Sequence, residues 1–340
     1  MLTPDLHIAS VGVHLPAGRA SLKSAIDAGL CDEDEFFESD LVEVPVADGV
    51  AAADMAVEAG RQALQRAGLD PSNLDLLVHA PMSREAPEGW ASPGYLLREL
   101  KCGRAASFAI NQGCNGTLAG IELAAAWLSA ARDRSSALVT SSLRAIAPYL
   151  QRWTSAGFGM ALGDGASAVL LSRSPGVARV EAVNSRTLPE LEGLHRGALD
   201  LADQESIAML TVDVPARARE FAVRSEFDSL DMHRIFSTMY AEIARETLAE
   251  AGIGTTDLTK VVFTNAGAAL IEADVMGPLG LSMNLSTWDF GRTIGHVGAS
   301  DHVFSLDHLL NSGEVEPGDR VLMLGGTQGY NVAAVALTVT

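Results

Sequence analysis

Two short glycine-containing stretches hold the residue types that nucleophilic catalysis uses. NQGCNG, at 111–116, places Cys114 between two glycines, directly after the apolar run SFAIN. GHVGASD, at 295–301, places His296 five positions before Asp301. A thiol can attack a carbonyl, an imidazole can accept a proton, and a carboxylate can orient the imidazole. Whether these residues act together depends on the elements that position them.

The setting of Cys114 favours a reactive thiolate. A buried strand is predicted over SFAIN and a long helix directly after the turn, so that Cys114 lies at a helix N-terminus. The positive end of the helix dipole favours the thiolate, and Gly113 and Gly116 leave room for a substrate. The turn alone is equally compatible with a small, buried structural cysteine. Cys31 and Cys102 lack this setting, and we interpret both as structural.

An internal repeat relates the two stretches. Strand-like and helix-like apolar runs alternate along the chain, which indicates an α/β fold. Residues 56–82 and 240–266 share one order: an Ala-rich amphipathic helix that ends in Ala-Gly, a polar turn, and a buried strand. The repeat continues beyond these segments, so the turn with Cys114 corresponds to the turn with His296, 182 positions later.

The repeat divides the chain of 340 residues into two halves. We predict an N-terminal half, 1–173, that carries the cysteine, and a C-terminal half, 174–340, that carries the His/Asp pair. The stretch 185–235 is the least regular and is rich in charge, which suggests an insertion or a lid.

Composition excludes several classes of partner. The formal net charge of −19 disfavours nucleic acid and anionic membranes, and no apolar run approaches the ~20 residues of a membrane span. Three cysteines without a CxxC pair, and an N-terminus without a basic signal region, predict free thiols in the cytoplasm. The scattered histidines form no known ligand spacing, so we predict no metal site.

Three further segments make the sequence similar to a known family. INQGCNGTLAGIELAAAWL resembles the active-site segment of the ketoacyl-ACP synthase III group of the thiolase superfamily. LGDGASAVLLSR resembles its GDGA strand, and MLGGTQGYNVAAVAL resembles its Gly-rich C-terminal strand pair. The resemblance covers nearly the whole chain. It implies the five-layered αβαβα thiolase fold built from two duplicated halves, a homodimer, and an acyl-thioester on Cys114.

The sequence departs from this family at the positions that support condensation. Synthases of the group pair the cysteine with a His and an Asn. Here FTNAGAAL replaces the HQAN-type segment, so Thr264 or Asn265 stands in place of the His. His296 takes the position of the Asn, and Asp301 stands where a small residue is usual. Loss of the His weakens stabilisation of the enolate that decarboxylation produces.

The replacement suits acyl transfer to oxygen. His296 can take the proton of an attacking hydroxyl, and Asp301 can hold the imidazole tautomer. Two plainer interpretations remain: His296 as a structural residue at a helix start, and Asp301 as an acidic residue favoured in the first helical turn by the dipole. Asp289 and Asp307 are the alternative partners for His296.

The tetrahedral oxyanion requires donors, and we predict the backbone N–H of Cys114 and one from Gly326 or Thr327. The donor contacts differ from those of the family, because DEDEFFESDLVEVPV lacks the usual Trp and its acidic residues disfavour CoA phosphates and an acidic carrier. Ala268 or Ala269 replaces an Arg. The candidate substrate contacts are Asn265, Arg152, Trp153 and Arg292, with Arg144 as a further partner for a malonyl carboxylate.

GHVGASD resembles the KAS III-like acyltransferases of antibiotic pathways, of the type that malonylates a sugar of a polyketide glycoside. The resemblance implies no permanently bound cofactor, with malonyl-CoA or a malonyl carrier as donor substrate and a small-molecule hydroxyl as acceptor. Two alternatives remain: a starter-unit ketosynthase or acyl shuttle between carrier proteins, and a non-catalytic thiolase-fold subunit. An intact GCNG turn and an acquired His-Asp pair argue against the second.

Overall fold

The computed structural model describes residues 1–3, 5–85, 87, 89–203, 211–225 and 229–340. Parts of the predicted insertion at 185–235 therefore lie outside the described residues. The strands are β1 His7–His14, β2 Gly18–Ser21, β3 Glu43–Val46, β4 Leu76–Pro81, β5 Ala106–Ala109, β6 Ser136–Leu143, β7 Gly165–Ser172, β8 Ala178–Thr187, β9 Lys260–Phe263, β10 Arg320–Thr327 and β11 Asn331–Val339. The helices are α1 Leu22–Asp27, α2 Ala52–Arg66, α3 Ser92–Leu100, α4 Gly116–Ser129, α5 Val214–Arg224, α6 Ser229–Ala251, α7 Ala268–Ile271, α8 Gly277–Leu279, α9 Trp288–Gly291 and α10 Asp301–Ser312.

Among the described residues, nine strands are connected in the order β5-β4-β6-β7-β1-β8-β11-β10-β9, and β2 pairs with β3 separately. They form two sets, which in the described part of the chain meet only through two residue pairs between β1 and β8. In the first set, β5, β4 and β6 run parallel, and β7 and β1 follow antiparallel. In the second set, β9 and β10 are parallel, and β11 and β8 follow antiparallel. A parallel bridge joins Val261 of β9 to Ser286, so Ser286 lies beside β9 as β5 lies beside β4 in the first set. The matching orders support the proposed halves 1–173 and 174–340.

Helices cover both faces of each strand set, which explains why the strands are buried on both sides. In β7, Val169 and Leu171 pack in the same cluster as Leu118 of α4, whereas Leu170 packs with α2 and α3. The central cluster also contains Val303 and further residues of α10, and α6 packs on the outer face of β10 and β11. The five-layered thiolase fold implied by the sequence is confirmed. Among the described residues, no helix has the length and apolarity to cross a membrane.

Candidate active site

The nucleophile's turn is held tightly against neighbouring segments. A single 3₁₀ turn, Gly113–Asn115, connects the chain after β5 to α4 and places Cys114 just before the helix. Gly113 has φ of 47°, and a Cβ there would lie 2.2 Å from side-chain atoms of Thr327 and Gln328. A Cβ on Gly116 would lie 2.5 Å from Cβ of Ala80. Both glycines are therefore required by close packing around the sulfur.

His296 lies beside Cys114. Its Nε2 is 3.0 Å from Sγ, and its ring is almost completely buried. The backbone is fixed on both sides, because the His296 N–H donates to the Ala161 carbonyl at 2.8 Å and the His296 carbonyl accepts from Gly163 at 2.9 Å. These bonds come from the segment just before β7, so the two halves of the chain jointly position the imidazole.

Asp301, the first residue of α10, lies on the other side of the ring. Its Oδ2 is 2.7 Å from Nδ1 of His296 and also accepts the Asn265 N–H at 2.9 Å. Its Oδ1 accepts the Val297 N–H at 2.6 Å. The carboxylate is fully buried, and three donors fix its orientation. It can therefore hold the His296 proton on Nδ1 and leave Nε2 directed at the sulfur.

The alternative acids lie elsewhere. Asp307 forms an ion pair with Arg66, and Asp289 is exposed on α9. The described contacts of His296 join it to Cys114 and Asp301.

Charges around His296 favour its protonated form in the free enzyme. Burial alone lowers the pKa of the imidazole, but the negative charges of Cys114 and Asp301, with hydrogen bonds to both, raise it well above its ordinary value. In the free site these charges therefore favour the imidazolium form of His296. Acylation of the sulfur removes one of these charges, so the pKa of His296 falls and the ring becomes available as a base.

The predicted oxyanion donors are arranged differently from the expectation. The Cys114 N–H donates to the side-chain hydroxyl of Thr327 at 2.8 Å, so it is already occupied. Gly326 lies in the β10–β11 ladder opposite Val332, and the hydroxyl of Tyr240 occupies the space beside its Cα. It is the side chain of Thr327, not its backbone N–H, that the structure brings to Cys114.

Two expected donor contacts belong to the protein framework instead. Arg152 forms an ion pair with the buried Asp164 at 2.9 Å and donates to the Leu162 carbonyl at 2.6 Å. Trp153 is buried and packs edge-on against Phe36 at 6.4 Å. Arg152 and Trp153 are thus held by internal contacts, in contrast with the prediction. The sequence around Arg152 does not indicate that its partner is Asp164, twelve residues later.

Asn265 and Arg292 are also committed to structural contacts. The buried side-chain amide of Asn265 donates to the Gly295 carbonyl at 2.8 Å, so this residue positions the His296 loop and, through its N–H, Asp301. Arg292 is partly exposed and forms an ion pair with Asp40 at 2.6 Å.

The predicted donor segments surround one open cavity of about 480 Å³. Residues 34–39 of the acidic stretch face residues 266–270, which follow Asn265, across this cavity. Asp34, Glu35 and Glu38 contribute carboxylates, and the described residues that line the cavity include no basic side chain. An acidic mouth of this kind repels the phosphates of CoA.

Sequence reasoning missed two buried polar residues next to the site. Asn115 is fully buried, and its side-chain amide donates to the carbonyls of Gly325 and Asn331 at 3.1 and 2.9 Å, which ties the nucleophile's turn to β10 and β11. His302 is also buried, and its Nε2 lies 3.0 Å from the Leu324 carbonyl. Burial lowers the pKa of His302. Neither residue was predicted, because a polar residue at the start of a helix does not indicate a carbonyl partner in a distant strand.

The described part of the chain contains no cluster of three or more His, Cys, Asp or Glu residues that could hold a metal ion. Cys114, His296 and Asp301 form a hydrogen-bonded chain in which the His296 ring contacts the other two residues.

Comparisons with known proteins show which proteins the chain is similar to. A family model described as 3-oxoacyl-[acyl-carrier-protein] synthase III matches residues 108–187, and its C-terminal counterpart matches residues 248–339. ChlB3, a solved structure described as an acyltransferase, is 37% identical, with a TM-score of 0.91 over 99% of this chain and 98% of that one.

More distant relatives include condensing enzymes. The β-ketoacyl-[acyl-carrier-protein] synthase III of Synechocystis sp. is 25% identical over 83% of this chain and 82% of its own length. The acetoacetyl CoA synthase NphT7 of Streptomyces sp. is 26% identical over 86% of this chain and 84% of its own length. The priming β-ketosynthase of the R1128 polyketide pathway has the same fold, with a TM-score of 0.79 at 22% identity over 99% of this chain and 97% of that one.

Proposed function

Because the chain belongs to the 3-oxoacyl-[acyl-carrier-protein] synthase III family, we propose that it is an acyltransferase that forms an ester through a Cys114 acyl-enzyme. The family acts on acyl thioesters of CoA or acyl carrier protein. The proposal concerns what this chain does with the acyl group. The acceptor is a hydroxyl oxygen, and no carbon dioxide is lost.

The observation that carries the proposal is the continuous chain from Sγ of Cys114 through His296 to Asp301. In the first half-reaction, the thiolate adds to the donor carbonyl, the C–S bond of the donor breaks, and the imidazolium protonates the departing thiolate. In the second, neutral His296 takes the proton of the acceptor hydroxyl as its oxygen attacks the Cys114 thioester, the C–S bond to Cys114 breaks, and the thiolate is restored beside the imidazolium. Asp301 stabilises the imidazolium that forms.

A condensing reaction fits these residues less well. It requires two neutral donors for the enolate oxygen, and the His that serves the family is Thr264 or Asn265 here. The Asn265 amide is occupied by the Gly295 carbonyl. The remaining position holds His296, whose Nδ1 is hydrogen-bonded to a carboxylate and whose pKa is raised by the charges of Cys114 and Asp301 against the lowering effect of burial.

The proposed substrates rest on the resemblance of GHVGASD to KAS III-like acyltransferases of antibiotic pathways and on the likeness to the ChlB3 acyltransferase. The donor is a malonyl thioester, and the acceptor is a hydroxyl, of the kind a sugar of a polyketide glycoside offers. The acidic lining of the cavity disfavours strong contacts to phosphates, so the proposed contacts to the donor are made to its pantetheine arm.

An exposed sheet edge supports the proposed homodimer. β5 pairs with β4 on one side, and Phe108 on this strand is 49% exposed. Leu123 on α4 is 51% exposed, and the ring of Trp127 packs edge-on against Phe108 at 5.9 Å. An apolar strand edge of this kind is a typical surface for a second copy. Analytical ultracentrifugation of the wild type and Phe108→Asp tests this: a wild-type monomer contradicts the dimer.

The mechanism is tested by mass spectrometry after incubation with malonyl-CoA. We expect a malonyl adduct on the wild type and none on Cys114→Ala. We expect His296→Asn, which restores the residue of condensing enzymes, to lose transfer to a hydroxyl acceptor. His308→Ala is the matched control, because His308 is a partly exposed histidine of α10 that contacts Glu314 and not the site.

Three outcomes would contradict the proposal. An adduct that persists on Cys114→Ala excludes the covalent mechanism. Release of carbon dioxide with formation of a 3-ketoacyl product identifies a starter-unit ketosynthase, and transfer to a carrier thiol with no ester product identifies an acyl shuttle.

A further inference from the structure

The hydroxyl of Thr327 is engaged on both sides next to the nucleophile. It accepts the Cys114 N–H at 2.8 Å and donates its proton to Oε1 of Gln328 at 2.7 Å. A hydroxyl carries one proton and two lone pairs, so it can accept from the amide while its proton remains available to a different acceptor.

Packing fixes this hydroxyl against the nucleophile's turn. Thr327 is the last residue of β10, is 4% exposed, and is opposite Asn331 in the β10–β11 ladder. Its β-branched side chain has few allowed rotamers. Gly113 leaves the space that the hydroxyl and the Gln328 amide fill, since a Cβ there would come within 2.2 Å of both. The free enzyme therefore presents a hydroxyl oxygen at the amide that would otherwise bind the substrate carbonyl.

We propose that the Thr327 hydroxyl is a catalytic donor to the tetrahedral oxyanion, an inference that rests on the proposed function. When Sγ of Cys114 bonds to the donor carbonyl carbon, the C=O electron pair moves to oxygen and gives an anion. The hydroxyl then turns its proton from the neutral Gln328 oxygen to this anion, where the hydrogen bond is stronger. Collapse of the intermediate restores the C=O bond and expels the donor thiolate, and the Thr327 hydroxyl again donates its hydrogen bond to Gln328.

The exchange of partners makes this contact specific to the transition state. Before reaction the Thr327 hydroxyl donates its hydrogen bond to the neutral Gln328 amide oxygen. Only a negative charge that develops on the substrate oxygen competes for this hydrogen bond, so the hydroxyl stabilises the transition state and not the bound substrate. The hydrogen bond from the Cys114 N–H remains in place and polarises the hydroxyl further. The alternative is that the Thr327 hydroxyl only blocks the Cys114 N–H and must move away before this N–H can bind the substrate oxygen.

Substitution at Thr327 separates these two possibilities. Thr327→Val keeps the shape of the side chain and removes the hydroxyl, and Thr327→Ser keeps the hydroxyl. We expect the rate of Cys114 acylation by malonyl-CoA, followed by mass, to fall on the order of 10²-fold in Thr327→Val and to stay close to wild type in Thr327→Ser. Alkylation of Cys114 by iodoacetamide forms no oxyanion and should be unchanged in both, which shows that the site is folded.

Three results would overturn the inference. Acylation of Thr327→Val as fast as the wild type, or faster, shows that the hydroxyl blocks the amide. An equal loss of the acylation rate in Gln328→Met shows that the hydrogen bonds joining Cys114, Thr327 and Gln328 as a whole are required, and not donation by Thr327 to the oxyanion. If the wild type forms no Cys114 adduct, the proposed function fails together with this inference, whereas an unchanged rate in Thr327→Val overturns the inference alone.

Discussion

Asp301 accepts a hydrogen bond from Nδ1 of His296 at 2.7 Å, and the two residues lie five positions apart across the start of α10. The same carboxylate accepts the backbone N–H groups of Asn265 and Val297. A buried anion at this position both fixes the ring and raises the pKa of His296. The helix start therefore serves as the orienting part of the site as well as a structural element.

Replacement of this carboxylate by an amide gives the first prediction. Asp301→Asn keeps the size of the side chain but removes the charge and allows the wrong imidazole tautomer. By analogy with other Asp–His pairs, we expect the rate of ester formation to fall roughly 10³- to 10⁴-fold. Single-turnover kinetics of the acyl-enzyme measure this.

Asp307→Asn is the control for that variant. Asp307 is on the same helix, and its partner Arg66 is half-exposed, so its loss should leave ester formation nearly unchanged. A large loss of ester formation in Asp307→Asn with a small loss in Asp301→Asn would show that Asp301 does not have the orienting role.

The triad could be located from the sequence because its signals are local. Cys114 and His296 lie in turns rich in small residues that lead into helices, and the repeat places the two turns in equivalent positions. Asp301 follows His296 at a spacing that a helix start brings within hydrogen-bond distance.

The substrate contacts could not be predicted because they depend on the direction of single side chains. Arg152 resembles a surface residue in sequence, yet it reaches a carboxylate twelve positions later. Asn265 was expected to face the substrate, but its amide turns to Gly295. A sequence pattern gives the position of a residue on an element, whereas these partners come from distant parts of the fold.

The second prediction concerns pH. The pKa of His296 is raised by the charge of Cys114 as well as that of Asp301, against the lowering effect of burial. Acylation neutralises the sulfur, so we expect the pKa of His296 to be lower in the acyl-enzyme than in the free enzyme. Transfer to the acceptor requires neutral His296, so its rate should fall as the pH falls through that lower pKa.

Nuclear magnetic resonance of ring-labelled histidine checks this directly. The His296 signal, assigned by its loss in His296→Asn, should titrate at a lower pH after acylation. The same titration midpoint in both states would show that Cys114 carries no charge that His296 senses.

The third prediction assigns Arg152 to stability. Asp164 is buried and also accepts the N–H groups of Ala47 and Ala145, so Arg152→Met leaves a buried carboxylate without its cation. We expect the free energy of unfolding in urea to fall by roughly 3 kcal/mol. The donor KM should remain unchanged.

Arg292→Met is the matched comparison for Arg152. Its ion pair with Asp40 is more exposed, so its loss should cost less than about 1 kcal/mol. A raised donor KM in Arg152→Met with no loss of stability would instead return Arg152 to the binding site.

The fourth prediction follows from the acidic cavity between residues 34–39 and 266–270. Asp34, Glu35 and Glu38 should repel the phosphates of an acyl-CoA that enters there, and salt screens such repulsion over about 10 Å at 0.1 M. We therefore expect the KM for malonyl-CoA to fall as ionic strength rises, and the KM for the malonyl-N-acetylcysteamine thioester, which lacks the CoA phosphates, to change less. Glu38→Gln should lower the KM for malonyl-CoA at low salt more than that of the shorter thioester. A KM for malonyl-CoA that rises with salt would show attraction, and would require cationic contacts to the phosphates elsewhere on the surface.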